Sequence, residues 1–325
     1  MTAKALSLLS GGLDSQLAVC VLKDQGIDVH GITFESPFFK AGQARKAAEW
    51  LKIPLHIVDF TQEILALLKD PPHGFGAGMN PCIDCHSQMI RKAGGIMKEM
   101  GFHFLSTGEV LNQRPMSQKR KSLAIVTEES GCGDFLVRPL SAKLLPETEP
   151  ERRGWVDREK LLAIEGRNRK AQYKLAGRYG LKDIPQPAGG CKLTEPNFCK
   201  RLQELKNHEG LSDVRAIDLL RIGRQFRLSN SIRLIVGRDQ AENESLEKIA
   251  RAEDILIKID AMPGPTCILS SSAVECEIVT AAGICAGYSD CQAGIPVKIG
   301  VSSSAGSRVV EVLPKAREEF EMLRI

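Results

Sequence analysis

The start of the chain strongly constrains the fold, because an apolar run leads into a glycine turn and then a helical pattern. Residues 5–9 are apolar, Ser10-Gly11-Gly12 follows directly, and residues 14–25 repeat apolar side chains at helical spacing. Short apolar runs and helical patterns continue to alternate through the first half of the chain. This alternation is typical of a parallel sheet with helices on both faces. We therefore predict an α/β fold.

The length and a change in pattern near residue 196 predict two domains. A chain of 325 residues is too long for one ordinary hydrophobic core. We expect residues 1–195 to form the α/β domain and residues 196–325 to form a smaller α+β domain with antiparallel strands. Two finer predictions are a basic helix over residues 157–179 and a strand over residues 216–220.

Composition predicts a folded cytoplasmic protein with no membrane contact. The chain is 43% hydrophobic and 26% charged, which is typical of globular and not of disordered proteins. No apolar run approaches the roughly 18 residues that span a bilayer, and no signal-peptide pattern opens the chain. Disulfides seldom persist in the cytoplasm, so the ten cysteines are expected to be packing residues, metal ligands or reactive thiols. The oligomeric state is left open.

The glycine turn has the features of a phosphate-binding loop. Two glycines let the backbone approach a phosphate closely, and successive N–H groups can converge on it at a positive helix N-terminus. Ser10 and Ser15 can add hydroxyl donors, and Asp14 is placed to hold Mg²⁺. No Gly-Lys-Ser/Thr follows, so this is not a Walker loop. The alternative is a plain glycine turn whose Ser and Asp cap a helix.

Three cysteines form a second candidate site. Asn80-Pro81-Cys82-Ile83-Asp84-Cys85-His86 puts two thiols three positions apart at a predicted loop-to-helix junction. This spacing lets both sulfurs reach one metal, and a helix N-terminus lowers the pKa of a thiol. Cys191 follows two glycines that permit close approach to a cofactor. Three thiolates with an open coordination position suit an iron–sulfur cluster. A structural zinc needs a fourth ligand from His86 or Cys132, and inert packing is a further alternative.

The loop resembles the SGGxDS signature of the PP-loop ATP pyrophosphatases, which cleave ATP between the α and β phosphates and transfer AMP. The resemblance implies a fold like that of the adenine nucleotide alpha-hydrolases, with ATP and Mg²⁺ as ligands. It also implies that Phe34 lies near the adenine and that Thr107, Gly108 and Glu109 match the family's later nucleotide-side loop. The ATP-binding residues implied in this way are Ser10, Gly11, Gly12, Leu13, Asp14, Ser15, Phe34, Thr107 and Gly108.

The cysteine element resembles that of the tRNA-thiolating branch of the same family. The stretch from Ser106-Thr107-Gly108-Glu109 to Val137-Arg138-Pro139-Leu140 resembles the 4-thiouridine synthetase catalytic domain, and the 2-thiouridylases share the loop and the cysteines. Some members use two cysteines as nucleophile and persulfide carrier, whereas others bind a [4Fe-4S] cluster through three. The resemblance thus implies that Cys82, Cys85 and Cys191 act with Asp14 in catalysis, and three cysteines favour the cluster.

The implied reaction is ATP-dependent tRNA thiolation. A uridine carbonyl is adenylated, and sulfur from sulfide or a cysteine desulfurase then replaces it. Neither the choice between C2 and C4 nor the sulfur donor is fixed by these motifs. Two other readings stay open, namely adenylation of a small metabolite and an RNA- or ribosome-binding adaptor with a nucleotide site.

An arginine-rich segment lies in the second predicted domain. Between Cys199 and Arg238 there are nine Lys or Arg against four Asp or Glu, which suits phosphate contacts. Gly223-Arg224-Gln225-Phe226-Arg227 and Ile235-Val236-Gly237-Arg238-Asp239 resemble the NFACT RNA-binding domain. The alternative is a solvated basic face. The resemblance implies tRNA as partner and contacts through Arg221, Arg224, Arg227, Arg233 and Arg238.

Overall fold

The protein was analysed as a computed structural model that describes residues 2–181, 184, 190–259, 262–292 and 294–325. It divides into two compact units, Met1–Glu195 and Pro196–Ile325. Among the described residues, no helix is long and apolar enough to cross a membrane.

The N-terminal unit is built on a five-stranded sheet in the order β3-β2-β1-β4-β5, and every neighbouring pair in it is parallel. Its strands are β1 Lys4–Leu8, β2 Asp28–Glu35, β3 Leu55–Asp59, β4 Phe104–Thr107 and β5 Leu136–Val137. Its helices are α1 Leu13–Lys23, α2 Gly42–Leu51, α3 Thr61–Lys69, α4 Cys82–Glu99, α5 Arg120–Ser130, α6 Glu149–Arg152 and α7 Lys170–Tyr179. The predicted α/β class is confirmed.

Helix α1 lies at the centre of this unit. Residues from Ser15 to Leu22 are buried on every side, as expected of a helix enclosed by a sheet and by other helices. Helices α2 and α7 pack against it, while α4 contacts both α3 and α5. The direction in which successive strands are added to the sheet reverses at β1, which has β2 on one side and β4 on the other. In open α/β sheets, ligands bind outside the carboxyl ends of the strands at such a switch point.

The C-terminal unit carries a six-stranded antiparallel sheet in the order β11-β10-β8-β9-β7-β6. Its strands are β6 Arg224–Arg227, β7 Arg233–Val236, β8 Ile255–Lys258, β9 Cys267–Leu269, β10 Val297–Ser303 and β11 Gly306–Val312. Its helices are α8 Pro196–His208, α9 Val214–Leu219, α10 Gln240–Ile249, α11 Glu275–Gly287 and α12 Arg317–Phe320. Ile278, Ala282 and Cys285 of α11 belong to the core that covers this sheet. The predicted α+β class is confirmed.

The predicted helix over residues 157–179 is wrong in its first half. Only Lys170–Tyr179 is an α-helix, preceded by a 3-10 turn at Arg158–Lys160. The backbone between them bonds to another segment instead, because the N–H of Leu162 donates to the carbonyl of Pro139 at 2.9 Å and that of Ile164 to Leu140 at 2.8 Å. A long-range pairing therefore replaces the local helix.

The predicted strand over residues 216–220 is also wrong. These residues fall mostly in helix α9, whose N-cap Asp213 accepts a hydrogen bond from the N–H of Arg215 at 3.0 Å. This cap satisfies one of the N–H groups that a helix start leaves free, so the aspartate favours helix over strand.

Candidate active site

The loop after β1 is held tightly by its own side chains. The Gly12 N–H donates to Ser10 Oγ at 3.3 Å, and Ser15 Oγ donates to the Gly12 carbonyl at 2.9 Å. Gly11 has φ +80°, and a Cβ there would lie 2.4 Å from the Gln43 carbonyl group. Only glycine fits this position, because both the conformation and the close approach exclude a side chain. The two serine hydroxyls lie 3.3 Å apart at the start of α1.

The loop after β4 packs directly on this phosphate loop. A Cβ added to Gly108 would lie 2.5 Å from the Cα and N of Ser15. Thr107 is the last residue of β4 and pairs in register with Leu8 of β1. The two predicted nucleotide segments therefore meet at the switch point of the sheet.

Asp14 is held by residues far away in the chain. Its Oδ2 accepts hydrogen bonds from Gln113 Nε2 at 2.6 Å and from Arg169 Nη2 at 3.3 Å. Gln113 in turn accepts a hydrogen bond from Gln172 Nε2 at 2.8 Å. Arg169 and Gln172 escaped sequence reasoning, since no local motif links them to partners that lie 155 and 59 residues away.

The other oxygen of Asp14 is the feature that fits a cation. Oδ1 is buried and has no hydrogen-bond partner among the described residues. A buried carboxylate oxygen without a donor is costly unless a positive group completes it. Mg²⁺ takes one or two carboxylates together with phosphate oxygens, so Asp14 beside the loop suits it.

The cysteine element occupies the start of α4. Cys82 is the first residue of this helix and Cys85 lies one turn further on. Burial raises the pKa of the Cys85 thiol well above its ordinary value, and the charges of Cys191 and then Cys82 raise it further. The charges of Cys191 and Cys82 therefore reach Cys85, but among the described residues the three sulfurs do not all lie within 4.8 Å of one another.

The same shift corrects a prediction. The helix N-terminus does not lower the pKa of Cys85, because burial and the neighbouring thiols outweigh the helix dipole. A positive centre bound at Cys85 would offset this rise, and cysteine sulfurs are the ligands that zinc and iron–sulfur clusters use.

The residues around the cysteines restrict the zinc alternative. Asn80 Nδ2 donates to Cys82 Sγ at 3.0 Å and so orients the first sulfur. Cys132 packs instead against Gly94, where an added Cβ would lie 2.1 Å from its sulfur. Gly94 is nine residues beyond Cys85, or about 13 Å along the helix at 1.5 Å per residue. Cys132 is therefore poorly placed as a fourth ligand.

A buried carboxylate joins the nucleotide side to the cysteine helix. Glu109 Oε1 lies 2.9 Å from His86 Nδ1, and Oε2 accepts from Arg138 Nε at 2.8 Å and from Thr107 Oγ1 at 3.1 Å. Burial by itself would raise the pKa of Glu109. The charge of Arg138 and the contact with His86 outweigh burial and lower this pKa to about 2. His86 follows Cys85 directly, so one ionised carboxylate links the two candidate sites.

Phe34 lies at the carboxyl end of β2, as expected for a residue at this edge of the sheet. Its side chain is 6% exposed and its ring packs 5.3 Å from that of Phe60.

The five predicted RNA-binding arginines are in different environments. Arg227 pairs with Glu204 at 2.6 Å and with Glu209 at 2.8 Å, and the buried Arg233 lies 3.4 Å from Glu209. The other three behave differently: Arg221 lies 3.5 Å from Asp218, Arg238 pairs with Glu242, and the Arg224 guanidinium lies 4.3 Å from the centre of the Tyr288 ring.

Two family models match separate parts of the chain. Residues 1–143 match the model described as thiamine biosynthesis protein (ThiI), and residues 223–324 match the NFACT protein RNA binding domain. The first match contains the phosphate loop, Cys82, Cys85 and Glu109, and the second contains all six strands of the antiparallel sheet.

The sequence is also similar to curated 2-thiouridylases. It is 31% identical over 124 residues to the tRNA-specific 2-thiouridylase MnmA of Sulfurimonas denitrificans, covering 34% of this chain and 36% of that protein. It is 29% identical over 175 residues to the enzyme of the same name from Parvibaculum lavamentivorans, covering 46% of this chain and 44% of that protein. The chain thus spans less than half the length of these relatives.

A solved structure of a 4-thiouridine synthetase–RNA complex with bound ATP matches at 21% identity and a TM-score of 0.38, covering 66% of this chain and 52% of that one. The N-terminal part of the chain is thus similar to the ThiI family and to curated tRNA-specific 2-thiouridylases, and the C-terminal part is similar to the NFACT RNA-binding domains.

Proposed function

We propose that this protein is an ATP-dependent tRNA sulfurtransferase that replaces a uridine carbonyl oxygen with sulfur. The observation that carries the proposal is the Glu109 link, which joins the nucleotide-side loop to the cysteine helix through Thr107 and His86. An enzyme that only adenylates has no need of thiols at this place. Similarity to the ThiI family model and to curated tRNA-specific 2-thiouridylases supports the same reaction.

The first step uses the phosphate loop. The N–H groups of the loop and the hydroxyls of Ser10 and Ser15 are arranged to hold the pyrophosphate of ATP. Oδ1 of Asp14 would hold Mg²⁺, whose charge offsets the charge that develops on the departing pyrophosphate. The uridine carbonyl oxygen attacks the α phosphorus, its bond to that phosphorus forms, and pyrophosphate leaves. Arg169 adds a positive charge on the same side of the loop.

The second step uses the thiols. Sulfide attacks the activated ring carbon, and AMP leaves with the former carbonyl oxygen. Where the sulfur comes from a cysteine desulfurase as a persulfide, its outer sulfur attacks the same carbon, and a second cysteine thiol then cleaves the S–S bond and forms a disulfide with the carrier cysteine. A [4Fe-4S] cluster bound by Cys82, Cys85 and Cys191 would supply an open iron to hold the incoming sulfur. The contact between Asn80 and Cys82 fixes the direction of one of these sulfurs. The base must leave its stack before this carbon can be reached.

Nucleoside mass spectrometry after reaction of the whole protein with ATP, Mg²⁺, sulfide and unmodified tRNA tests the proposal. We expect thiouridine and tRNA-dependent pyrophosphate release, both lost in Asp14→Asn. Cys82→Ser, Cys85→Ser and Cys191→Ser should each lose thiouridine but keep pyrophosphate release, since adenylation precedes sulfur transfer. Cys276→Ser, at an exposed cysteine of the other unit, is the matched control and should keep both products.

Each rival has its own result. Pyrophosphate release that does not depend on tRNA but is stimulated by a small metabolite would show that the metabolite, and not tRNA, is the substrate. Binding of tRNA with no pyrophosphate release would make the protein an adaptor. The protein could also make thiouridine when it is purified anaerobically with no iron and no absorbance near 400 nm, and when Cys191 is substituted. That result would exclude the cluster and favour a persulfide pair.

A further inference from the structure

Two buried glutamines connect helix α7 to Asp14. Gln172 Nε2 donates to Gln113 Oε1 at 2.8 Å, and Gln113 Nε2 donates to Asp14 Oδ2 at 2.6 Å. Gln172 is fully buried, and Gln113 is 7% exposed. We call these two side chains the glutamine relay. Gln172 lies outside residues 1–143, the part of the chain that matches the ThiI family model.

The relay can form because α7 lies beside α1 and runs in the same direction. At the start of the two helices, Arg169 Nη2 lies 3.3 Å from Asp14 Oδ2. At their other ends, Tyr179 Oη donates to Asp24 Oδ2 at 2.6 Å. The first turn of α7, which contains Gln172, therefore lies on the same side of the unit as the phosphate loop.

Backbone contacts hold the segment before α7 next to the loop that carries Gln113. Leu111 forms a parallel bridge with Glu165, and the N–H of Gly166 donates to the Leu111 carbonyl at 2.8 Å. These contacts join the two segments without any help from the glutamine side chains. The relay is therefore not needed to hold Gln113 and Gln172 close together.

The relay has only one favourable direction. A glutamine amide has a donor end, Nε2, and an acceptor end, Oε1. Because Gln172 donates to Oε1 of Gln113, the donor end of Gln113 faces Asp14. The reverse orientation of the Gln113 amide would place its oxygen against the carboxylate of Asp14, and two acceptors would then meet. Gln172 thus determines which group of Gln113 is presented to Asp14.

The relay acts on one oxygen of Asp14 and leaves the other for a cation. Oδ2 accepts hydrogen bonds from Gln113 and Arg169, whereas Oδ1 is buried and has no hydrogen-bond partner among the described residues. The carboxylate cannot exchange its two oxygens without breaking both bonds to Oδ2. Its Oδ1 is therefore held in one orientation.

Packing alone does not account for an amide at position 172. Gln172 Oε1 is buried and has no hydrogen-bond partner among the residues that the structure describes. A buried acceptor without a donor destabilises a fold, so an apolar side chain of similar size would suit this position better if packing were its only role.

We propose that Gln172 is a positioning residue for Mg²⁺, which acts through Gln113 to keep Oδ1 of Asp14 turned toward the cation. The inference rests on the proposed function, because it takes the Mg²⁺ of the ATP-dependent step as the ion. Hydrogen bonds that orient a metal-binding carboxylate support the metal affinity of a site, and their loss typically lowers it by about 10- to 100-fold.

Mn²⁺ binding to the whole protein in the presence of α,β-methylene-ATP, which cannot be cleaved between the α and β phosphates, tests the relay without turnover. Electron paramagnetic resonance measures the free Mn²⁺, an ion that suits carboxylate and phosphate oxygens. We expect Gln113→Met to weaken Mn²⁺ binding by about tenfold or more. Gln172→Met should weaken it by roughly threefold to tenfold, since only a neutral hydrogen bond is lost. The double variant should match Gln113→Met, because Gln172 acts through Gln113.

The melting temperature separates this role from packing. Gln172→Met should keep or raise it, because the substitution removes an unpartnered oxygen. Gln225→Met is the matched control, since Gln225 is also fully buried with an unpartnered Oε1. Its Nε2 instead donates to the carbonyls of Leu219 at 2.9 Å and Ile222 at 2.7 Å in the C-terminal unit. This variant should lower the melting temperature and leave Mn²⁺ binding unchanged.

Native Mn²⁺ affinity in Gln172→Met, or losses that add in the double variant, would overturn the relay and leave thiolation in place. If the methionine variant does not fold, Gln172→Asn gives the same test, because it keeps the amide but is one methylene too short to reach Gln113. A native protein that binds Mn²⁺ and the nucleotide but makes no thiouridine would instead remove the proposed function, and the relay would stand.

Discussion

Replacing Glu109 by Gln tests how strongly the link between the two sites is held. The amide has nearly the size of the carboxylate but carries no charge. In the native protein both Glu109 and Arg138 have side chains that are 7% exposed. The substitution therefore leaves a buried guanidinium without its counter-charge.

The pKa gives the size of the effect. The pKa of Glu109 is lowered from its ordinary value of 4.5 to about 2, because the charge of Arg138 and the contact with His86 outweigh burial. A lowering of roughly 2.5 units at 1.36 kcal/mol per unit is about 3 kcal/mol of stability. The removal of one partner from a buried ion pair costs about 3–5 kcal/mol in other proteins, which agrees. We expect Glu109→Gln to lower the free energy of unfolding of the N-terminal unit by about 3 kcal/mol at pH 7.

The loss depends on pH, with a sign set by the direction of the shift. Because the folded pKa of Glu109 is lowered, its stabilisation is complete above the unfolded pKa of 4.5 and declines as the pH falls toward about 2. Urea unfolding should therefore separate the two proteins widely at pH 7 and bring them together near pH 2. Both tryptophans, Trp50 and Trp155, lie in the N-terminal unit, so tryptophan fluorescence reports on that unit alone.

Glu149→Gln is the control for charge removal as such. Glu149 also pairs with two arginines, Arg152 and Arg153, but at the surface, where solvent screens the pairs. Its variant should be indistinguishable from the native protein. The reasoning is refuted by a Glu109→Gln loss below about 1 kcal/mol, or by one that is equal at pH 7 and near pH 2.

Three further outcomes follow from the phosphate loop. Gly11→Ala should abolish ATP binding in calorimetry and lower the melting temperature, because the added Cβ would lie 2.4 Å from the Gln43 carbonyl group. Gly95→Ala is the control, since its added Cβ would have no atom within 4 Å, and it should keep both ATP binding and the melting temperature. Arg169→Gln should weaken ATP binding by about tenfold or more, the value of one hydrogen bond to a charged group, and Arg169→Lys should recover part of it; equal affinities would exclude Arg169 from the site. Removal of Mg²⁺ with a chelator should stop pyrophosphate release until Mg²⁺ returns, and release that survives the chelator would exclude the cation role given to Asp14.

Local patterns explain what could be predicted from the sequence. The phosphate loop was visible because strand, glycine turn and helix follow one another within twenty residues. Cys82 and Cys85 share one helical turn, so their spacing alone places them together. Cys191 could be named from its preceding glycines, although its approach to the other two depends on the tertiary fold.

The remaining features depend on contacts that no local pattern encodes. Arg169 reaches Asp14 across 155 residues, and Arg138 reaches Glu109 across 29. The arginine-rich segment is visible in the sequence as a charge excess. The sequence does not show which of its arginines are neutralised by carboxylates in the folded unit. Arg227 is neutralised by Glu204, a residue of helix α8 that faces it only after the sheet has formed.

The position of Asp14 has a consequence for the choice of metal. Gln113 and Arg169 occupy Oδ2, so only Oδ1 is available to an ion, and the carboxylate is limited to one bond. Ca²⁺ binds six to eight oxygens and is often coordinated by both oxygens of one carboxylate. Mg²⁺ binds six oxygens in an octahedron, and a single oxygen of a carboxylate is enough for one of these positions. The two side chains that orient Asp14 thereby discriminate between alkaline-earth ions, although neither of them would touch the metal.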